Sequence, residues 1–123
     1  LLGYSYCFFQ VLPCKSGSRK ERQVVVTEVE DLLASHDAMR LTEHALYEAY
    51  KESLRAKDIF HAIFNGEVLE HYPRRHRVLI VGPSLGFDLH IHVVCDYGER
   101  DEIVAITVYI PDRPRWASDW MRA

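Results

Sequence analysis

Apolar residues recur at intervals of three and four in three segments of the chain, a spacing that predicts amphipathic helices. The segments are 24–35, 41–54 and 57–64. Thr42 is placed to cap the second helix at its N-terminus, and Asn65-Gly66 follows the third as a typical C-terminal stop. We therefore expect three helices in the first part of the chain.

The second part changes to short apolar runs and to alternation of apolar and polar positions, both of which are typical of strands. Four strands are predicted, at 68–72, 77–81, 87–95 and 103–110. The polar loop 96–101 is short, so the last two strands should form an antiparallel hairpin. Helices followed by strands predict an α+β fold, with N-terminal helices packed on a four-stranded, mainly antiparallel sheet in two layers.

The hairpin carries polar side chains on one face. In 87–95 the odd positions are apolar or a thiol and form the core face, whereas the even positions include His90 and His92. In 103–110 the even positions are the more apolar set, and matching the two core faces determines the register. The predicted opposed pairs are His92 with Ala105, His90 with Thr107 and Asp88 with Tyr109. This register predicts an open patch of two imidazoles, one hydroxyl and one phenol.

The length of the chain bounds its organisation. Its 123 residues are enough for one domain with a core of its own. We expect residues 24–123 to form that single α+β domain, and residues 1–23 to be an extension or linker that is poorly ordered or non-native. Residues 1–12 are apolar but too few to span a bilayer, and they lack the features of a signal peptide. We therefore expect no membrane association.

The cysteine content bears on the cellular compartment of the protein, and its net charge bears on the kind of partner it can bind. The three cysteines show no paired spacing, which argues against a disulfide framework and a zinc site and for the reducing cytoplasm. The formal net charge is −3, whereas nucleic-acid-binding domains are usually basic. A net acidic protein that binds nucleic acid must use a local basic region. The segment 74–77, Arg-Arg-His-Arg, is such a region.

Charged residues form a stripe on the second predicted helix. His44, Glu48, Lys51 and Arg55 are spaced so that they fall on one side of it, away from the apolar arc. The simplest interpretation is a solvated face on which Glu48 pairs with Lys51 or Arg55.

Several segments resemble one small bacterial family. The segment 40–45 is similar to its opening R-x-T-x-H-A, and His44 is the histidine of that motif. The segment 57–73 resembles its next helix and its G-x-hydrophobic-x-E-x-Y-P strand. The hairpin resembles its H-V-V-C and I-T-x-Y-x-P-D-x-x-x-W patterns, with Arg122 as the closing basic residue. The resemblance covers residues 24–122.

This is the domain-of-unknown-function family that is often encoded beside YgiT-type zinc-finger proteins. The family is similar, at the level of fold, to RelE-like and MqsR-like toxins, which are metal-independent endoribonucleases. The resemblance therefore implies the toxin of a bacterial toxin–antitoxin pair. It also implies RNA as substrate, a YgiT-type zinc-finger antitoxin-like protein as partner, and no cofactor.

Metal-free RNA cleavage needs a base for the ribose 2′-hydroxyl, an acid for the leaving oxygen and a cation for the phosphorane-like charge. Histidine suits the first two roles, tyrosine can donate a proton, and arginine binds phosphate through two hydrogen bonds. The candidate catalytic residues are His92 and His44 for acid–base work, Tyr109 as an assisting donor, and Arg55 for phosphate. The candidate substrate-binding residues are Arg74, Arg75, Arg77 and His90.

Two other interpretations stay open. His90, His92 and Asp88 share one strand face and could hold a transition metal, although this spacing is generic and we expect no metal. Alternatively, the open sheet face, the basic segment 74–77 and the aromatic C-terminal tail form a non-catalytic binding module that docks the zinc-finger partner. In that case the same histidines and Tyr109 are structural or partner contacts.

Overall fold

The computed structural model describes residues 12–13, 28–86, 89–99, 101–111, 118 and 121. Within these residues the chain forms three helices, α1 (Val29–Ala34), α2 (Glu43–Lys51) and α3 (Ala56–Phe64). It also forms six strands: β1 (Leu12–Pro13), β2 (Ala38–Leu41), β3 (Glu67–Tyr72), β4 (Arg77–Pro83), β5 (His90–Asp96) and β6 (Glu102–Tyr109). A 3-10 turn, Pro73–Arg75, joins β3 to β4. No helix among the described residues has the length and apolar character needed to cross a membrane.

The strands form one mixed sheet in the order β1-β2-β6-β5-β4-β3. β2 runs parallel to β6, and the other neighbouring strands are antiparallel. The predicted α+β class is confirmed, but the predicted count of four strands is wrong because β1 and β2 were not expected. β2 is only four residues long and pairs Ala38 with Glu102, far along the chain. A parallel pair of this kind has no local turn that would mark it in the sequence.

The limits of α2 and α3 follow from side-chain hydrogen bonds at their ends. The Oγ1 of Thr42 accepts a hydrogen bond from the backbone N–H of Ala45 at 3.0 Å, which confirms the predicted cap of α2. Beyond α3, the side-chain amide of Asn65 donates to the carbonyl oxygen of His61 at 2.9 Å. The first helix is confirmed at Val29–Ala34, and its predicted start at 24–27 lies outside the described residues.

The helices pack on one face of the sheet and form an apolar core with it. Its fully buried members include Leu32, Met39, Leu41, Ile59, Ile63, Ile80, Ile91 and Ile103. Burial of a side chain of this size stabilises the fold by about 1.5–3 kcal/mol. Gly82 of β4 lets α3 approach the sheet closely, because a Cβ at Gly82 would lie 2.0 Å from the carbonyl oxygen of Ala62.

The register of the β5–β6 hairpin differs from the predicted one. The observed opposed pairs include His92 with Tyr109, Val94 with Thr107 and Cys95 with Ala105. The prediction was wrong because Glu102 and Ile103 pair with β2 before β6 meets β5 at Val104. Asp88, the predicted partner of Tyr109, lies outside the described residues.

A β-bulge interrupts β6 between Ala105 and Thr107, which oppose the consecutive residues Cys95 and Val94. The extra residue, Ile106, reverses the alternation of faces along the strand. The core residues of β6 are Ile103 and Ala105 before the bulge and Val108 after it. The prediction that the even positions form the core face is therefore wrong for the first half of β6.

Candidate functional site

His92 and Tyr109 form a pair on the sheet face opposite the helices. Their neighbours Val93 and Val108 lie in the core, so strand alternation turns His92 and Tyr109 to the other face. His92 Nδ1 lies 3.3 Å from the Tyr109 hydroxyl, and the two ring centroids are 5.1 Å apart. The structure therefore brings two of the predicted catalytic residues together.

The exposure of this pair is not what the sequence predicts. His92 is 0% exposed and lies between Val81 of β4 and Tyr109 of β6, so the prediction that it belongs to an open patch is wrong. Tyr109 is half-buried, as is His90, which lies two residues before His92 on the same face. Solvent therefore reaches Tyr109 rather than the imidazole behind it.

His44 lies in the first turn of α2, and 61% of its side chain is exposed. Its Nε2 lies 3.2 Å from the Oε2 of Glu48, one helical turn further along. A carboxylate only accepts hydrogen bonds, so in the neutral ring this contact assigns the proton to Nε2 and leaves the lone pair on Nδ1. Glu48 thus contacts His44 and not the predicted Lys51 or Arg55.

The second oxygen of Glu48 joins this pair to the sheet. Its Oε1 accepts a hydrogen bond from the backbone N–H of Val108 at 3.1 Å. The pairing of β2 with β6 ends at Leu41 opposite Ala105, so the Glu48 carboxylate meets β6 just beyond that pairing. Because Val108 precedes Tyr109, the His44–Glu48 pair and the Tyr109–His92 pair meet the same end of β6.

Arg55, the fourth predicted catalytic residue, lies between α2 and α3 and is exposed. Its backbone N–H donates to Oδ2 of Asp58 at 2.9 Å, which caps α3. The Oδ1 of Asp58 accepts from the backbone N–H of Leu85 at 2.9 Å. The buried Asp58 carboxylate is therefore structural, whereas the Arg55 side chain is exposed.

The predicted substrate-binding arginines divide into two kinds. Arg74 and Arg75 are exposed in the turn between β3 and β4. Arg77 lies on β4, and its Nε is 3.3 Å from Oδ2 of Asp96 on β5, so it has a structural partner. Asp96 is four residues along β5 from His92, a distance of about 13 Å in a strand. The basic turn and the Tyr109–His92 pair therefore lie at different ends of β5.

The sequence did not predict a cluster of His71, His76 and Tyr97 beside the basic turn. His71 Nε2 lies 2.7 Å from the Tyr97 hydroxyl, and the His76 ring meets Tyr97 edge-on with centroids 5.6 Å apart. Burial, and secondly the charge of Asp96, raise the pKa of Tyr97, so its hydroxyl stays a donor. Only the sheet register brings these residues together, although His76 follows Arg74 and Arg75 directly in the sequence.

Within the described residues, no group of three or more histidine, cysteine, aspartate or glutamate side chains is arranged to hold a metal ion. Asp88, which the alternative metal site requires, lies outside the described part of the chain.

A family model described as a domain of unknown function (DUF4258) matches residues 41–110, a span that includes α2 and the hairpin. No curated protein matches the chain, and no solved structure matches it. The matched span contains all eight predicted site residues.

Proposed function

The chain belongs to the DUF4258 family, a domain of unknown function, and within that family we propose that it is a metal-independent endoribonuclease of the RelE-like toxin type. The proposed site lies at the first turn of α2 and the adjoining end of β6. The RNA supplies its own 2′-hydroxyl as nucleophile. The protein then has to supply only proton transfer and stabilisation of charge.

The exposed imidazole of His44, held by a carboxylate, is the observation that carries this proposal. Glu48 orients the ring and leaves Nδ1 as an acceptor. A base that a third group orients is the arrangement that proton abstraction requires. In the proposed reaction, Nδ1 of His44 takes the proton from the 2′-hydroxyl while Glu48 stays ionised.

The remaining roles are assigned to the other predicted residues, with Tyr109 reaching the reacting phosphate from the sheet face opposite the helices. Tyr109 donates a proton to the leaving 5′-oxygen, and the buried His92 acts as a positioning residue through its contact with the Tyr109 hydroxyl. Arg55 lies beyond the other end of α2, so it holds a phosphate further along the strand rather than the reacting one. The exposed turn at the other end of the sheet contacts more distant phosphates of the same strand, and His90, two residues before His92, contacts a phosphate nearer to Tyr109.

Glu48→Gln tests the role of the His44–Glu48 pair sharply. The amide oxygen of glutamine can still accept from Val108, but the amide nitrogen donates to Nε2 of His44. The ring proton then moves to Nδ1, and the base is lost. We expect cleavage of mixed RNA in excess EDTA to fall by about 100-fold or more, since acid–base catalysis contributes about 10²–10⁴-fold.

Lys57→Ala, an exposed change on α3, is the matched control for handling and folding. Circular dichroism of each variant reports whether the fold is intact. Wild-type protein that cuts no RNA, with or without ribosomes, overturns the proposed function. Cleavage at the wild-type rate by both Glu48→Gln and His44→Gln overturns the assignment of the base.

A groove on the helix side favours a second function, a non-catalytic module that docks a zinc-finger antitoxin-like partner. The groove has a volume of about 550 Å³ and lies between α1 and the start of β3. Its lining combines apolar Val29, Leu33, Phe64 and Val68 with acidic Glu28, Glu30 and Glu67. An apolar floor with an acidic rim complements a basic segment of a partner.

Expression in bacteria separates the two functions. Growth arrest that a co-expressed zinc-finger partner relieves supports the toxin. A stable complex without growth arrest, weakened by the double change Glu28→Lys and Glu30→Lys, supports the binding module. A complex that is unaffected by this charge reversal excludes the groove as its interface.

A further inference from the structure

Two tyrosines of α2 face solvent and follow His44 along the helix. The exposed fraction is 60% for Tyr47 and 78% for Tyr50, whereas Ala45 and Ala49 are buried. The Nζ of Lys51 lies 4.9 Å from the centroid of the Tyr47 ring. Large aromatic side chains are usually more buried than this, so two exposed ones on one short helix indicate a binding surface.

Their spacing relates them to the proposed base. Tyr47 follows His44 by three residues, and Tyr50 follows Tyr47 by three. Residues three apart on a helix are surface neighbours, with Cβ atoms about 5–6 Å apart. The two phenol rings therefore form a row that leads along α2 to the exposed imidazole.

We propose that Tyr47 and Tyr50 form a stacking surface for unpaired bases of single-stranded RNA, which places the strand against His44. The inference rests on the proposed function and specifies its substrate as single-stranded. Aromatic rings accept bases of any identity by stacking, and each stacked base contributes about 1–3 kcal/mol. A duplex cannot use this surface, because its bases already stack on each other.

The charges around the row favour stacking over ionic attraction. Lys51 in the last turn of α2 and Arg55 just beyond it are exposed cations, and Glu43 and Glu52 are exposed anions on the same helix and its cap. With the half-buried carboxylate of Glu48, these two cations and three anions leave a net charge of −1. Binding that depends mainly on neutralised phosphates weakens steeply as salt rises, so the part of the binding that the two rings supply should depend only weakly on salt.

The test uses a fluorescein-labelled single-stranded oligouridylate of twelve nucleotides and the full chain, with fluorescence anisotropy as readout. EDTA is present, and His44→Gln serves as the background so that the probe is not cut. We expect Tyr47→Ala and Tyr50→Ala each to weaken binding by about 5- to 100-fold. Tyr47→Phe and Tyr50→Phe keep the aromatic face and should bind as their parent does. The same RNA annealed to its complement should bind much more weakly.

The outcomes separate this inference from the proposed function. Loss of binding in the alanine variants without any cleavage by wild-type protein supports the stacking surface and overturns the nuclease. Cleavage by wild-type protein, together with unchanged RNA binding by the alanine variants, supports the nuclease and overturns the stacking surface. Equal binding of duplex and single-stranded RNA overturns the stacking surface. Alanine variants that still bind RNA but no longer bind a protein partner also overturn it.

Discussion

The Glu48 side chain binds the backbone amide of Val108 just beyond the point where β2 stops pairing with β6. The N–H of Val108 donates to Oε1 at 3.1 Å, and Val108 itself is buried. One carboxylate therefore anchors α2 to the sheet and holds the exposed ring of His44. Oε1 of Glu48 contributes to stability through Val108, whereas Oε2 contacts His44 and serves the proposed chemistry. Substitutions of Glu48 can therefore separate the two roles.

Glu48→Ala should destabilise the protein, because the buried amide of Val108 loses its acceptor. We expect a loss of about 1–2 kcal/mol in the free energy of unfolding. Glu48→Gln keeps an acceptor oxygen and should stay within about 0.5 kcal/mol of wild type. Urea unfolding measures both changes. If the alanine variant is as stable as wild type, the hydrogen bond to Val108 contributes nothing to stability.

Gly82→Ala should be strongly destabilising. The added Cβ would lie 2.0 Å from the oxygen and 2.6 Å from the carbonyl carbon of Ala62, so backbone of α3 or of β4 has to move. We expect a loss of about 3 kcal/mol or more. Gly86→Ala is the matched control, because its Cβ would meet nothing within 4 Å. Similar thermal midpoints for the two variants would contradict this account of the packing of α3.

His36→Leu should also destabilise the fold. The His36 side chain is buried, with Nδ1 3.0 Å from the carbonyl oxygen of Leu32 and Nε2 3.2 Å from that of Tyr97. It thereby links α1 to the loop after β5. Leucine keeps much of the volume but makes neither contact, so we expect a loss of about 1–3 kcal/mol. Urea unfolding of this variant beside Lys57→Ala measures the loss. Equal stability of the two variants would mean that the link contributes nothing.

Cys95 should make stability fall at high pH. Burial, and secondly the charge of Asp96, raise the pKa of its thiol in the fold, whereas an unfolded thiol ionises near pH 8.5. Above that pH the unfolded chain releases a proton that the native state keeps. The stabilising contribution is therefore complete below about pH 8.5 and is lost as the pH rises further.

The urea midpoint of wild type should accordingly fall more between pH 8 and pH 10 than that of Cys95→Ala. Alkylation gives an independent measurement. The peptide that contains Cys95 should stay unmodified by iodoacetamide in the native protein at pH 8.5 and react fully in urea. Rapid modification in the native protein would show that the thiol is accessible.

Local signals in the sequence predicted the parts of the fold that depend on neighbours along the chain. Thr42 correctly predicted the start of α2, and the apolar periodicity of α3 predicted which of its faces is buried. β2 was missed because its pairing with β6 is non-local, and the bulge was missed because Ile106 looks like any other apolar residue of a strand. Because the observed register and the bulge differ from the prediction, the environment of His92 differs from the prediction as well.

The candidate site could be predicted only in part for the same reason. His44 was found because a motif contains it, whereas its contact with Glu48 depends on which rotamers the packing of α2 on β6 selects. The cluster of His71 and Tyr97 depends on the register of three strands. Residue types indicated the chemistry, but the tertiary pairing decides which of these groups reaches solvent.

The position of β6 between β2 and β5 has a consequence for synthesis on the ribosome. β6 follows the other strands along the chain, yet it is the strand that joins β1 and β2 to the rest of the sheet. While β6 is still inside the ribosome, the nascent chain can form the β3–β4–β5 meander. Strand β2 and helix α2 then still lack the strand on which they pack. Co-translational folding should therefore stop at a partly assembled intermediate, and Glu48 should anchor α2 to the sheet only after Val108 has left the exit tunnel.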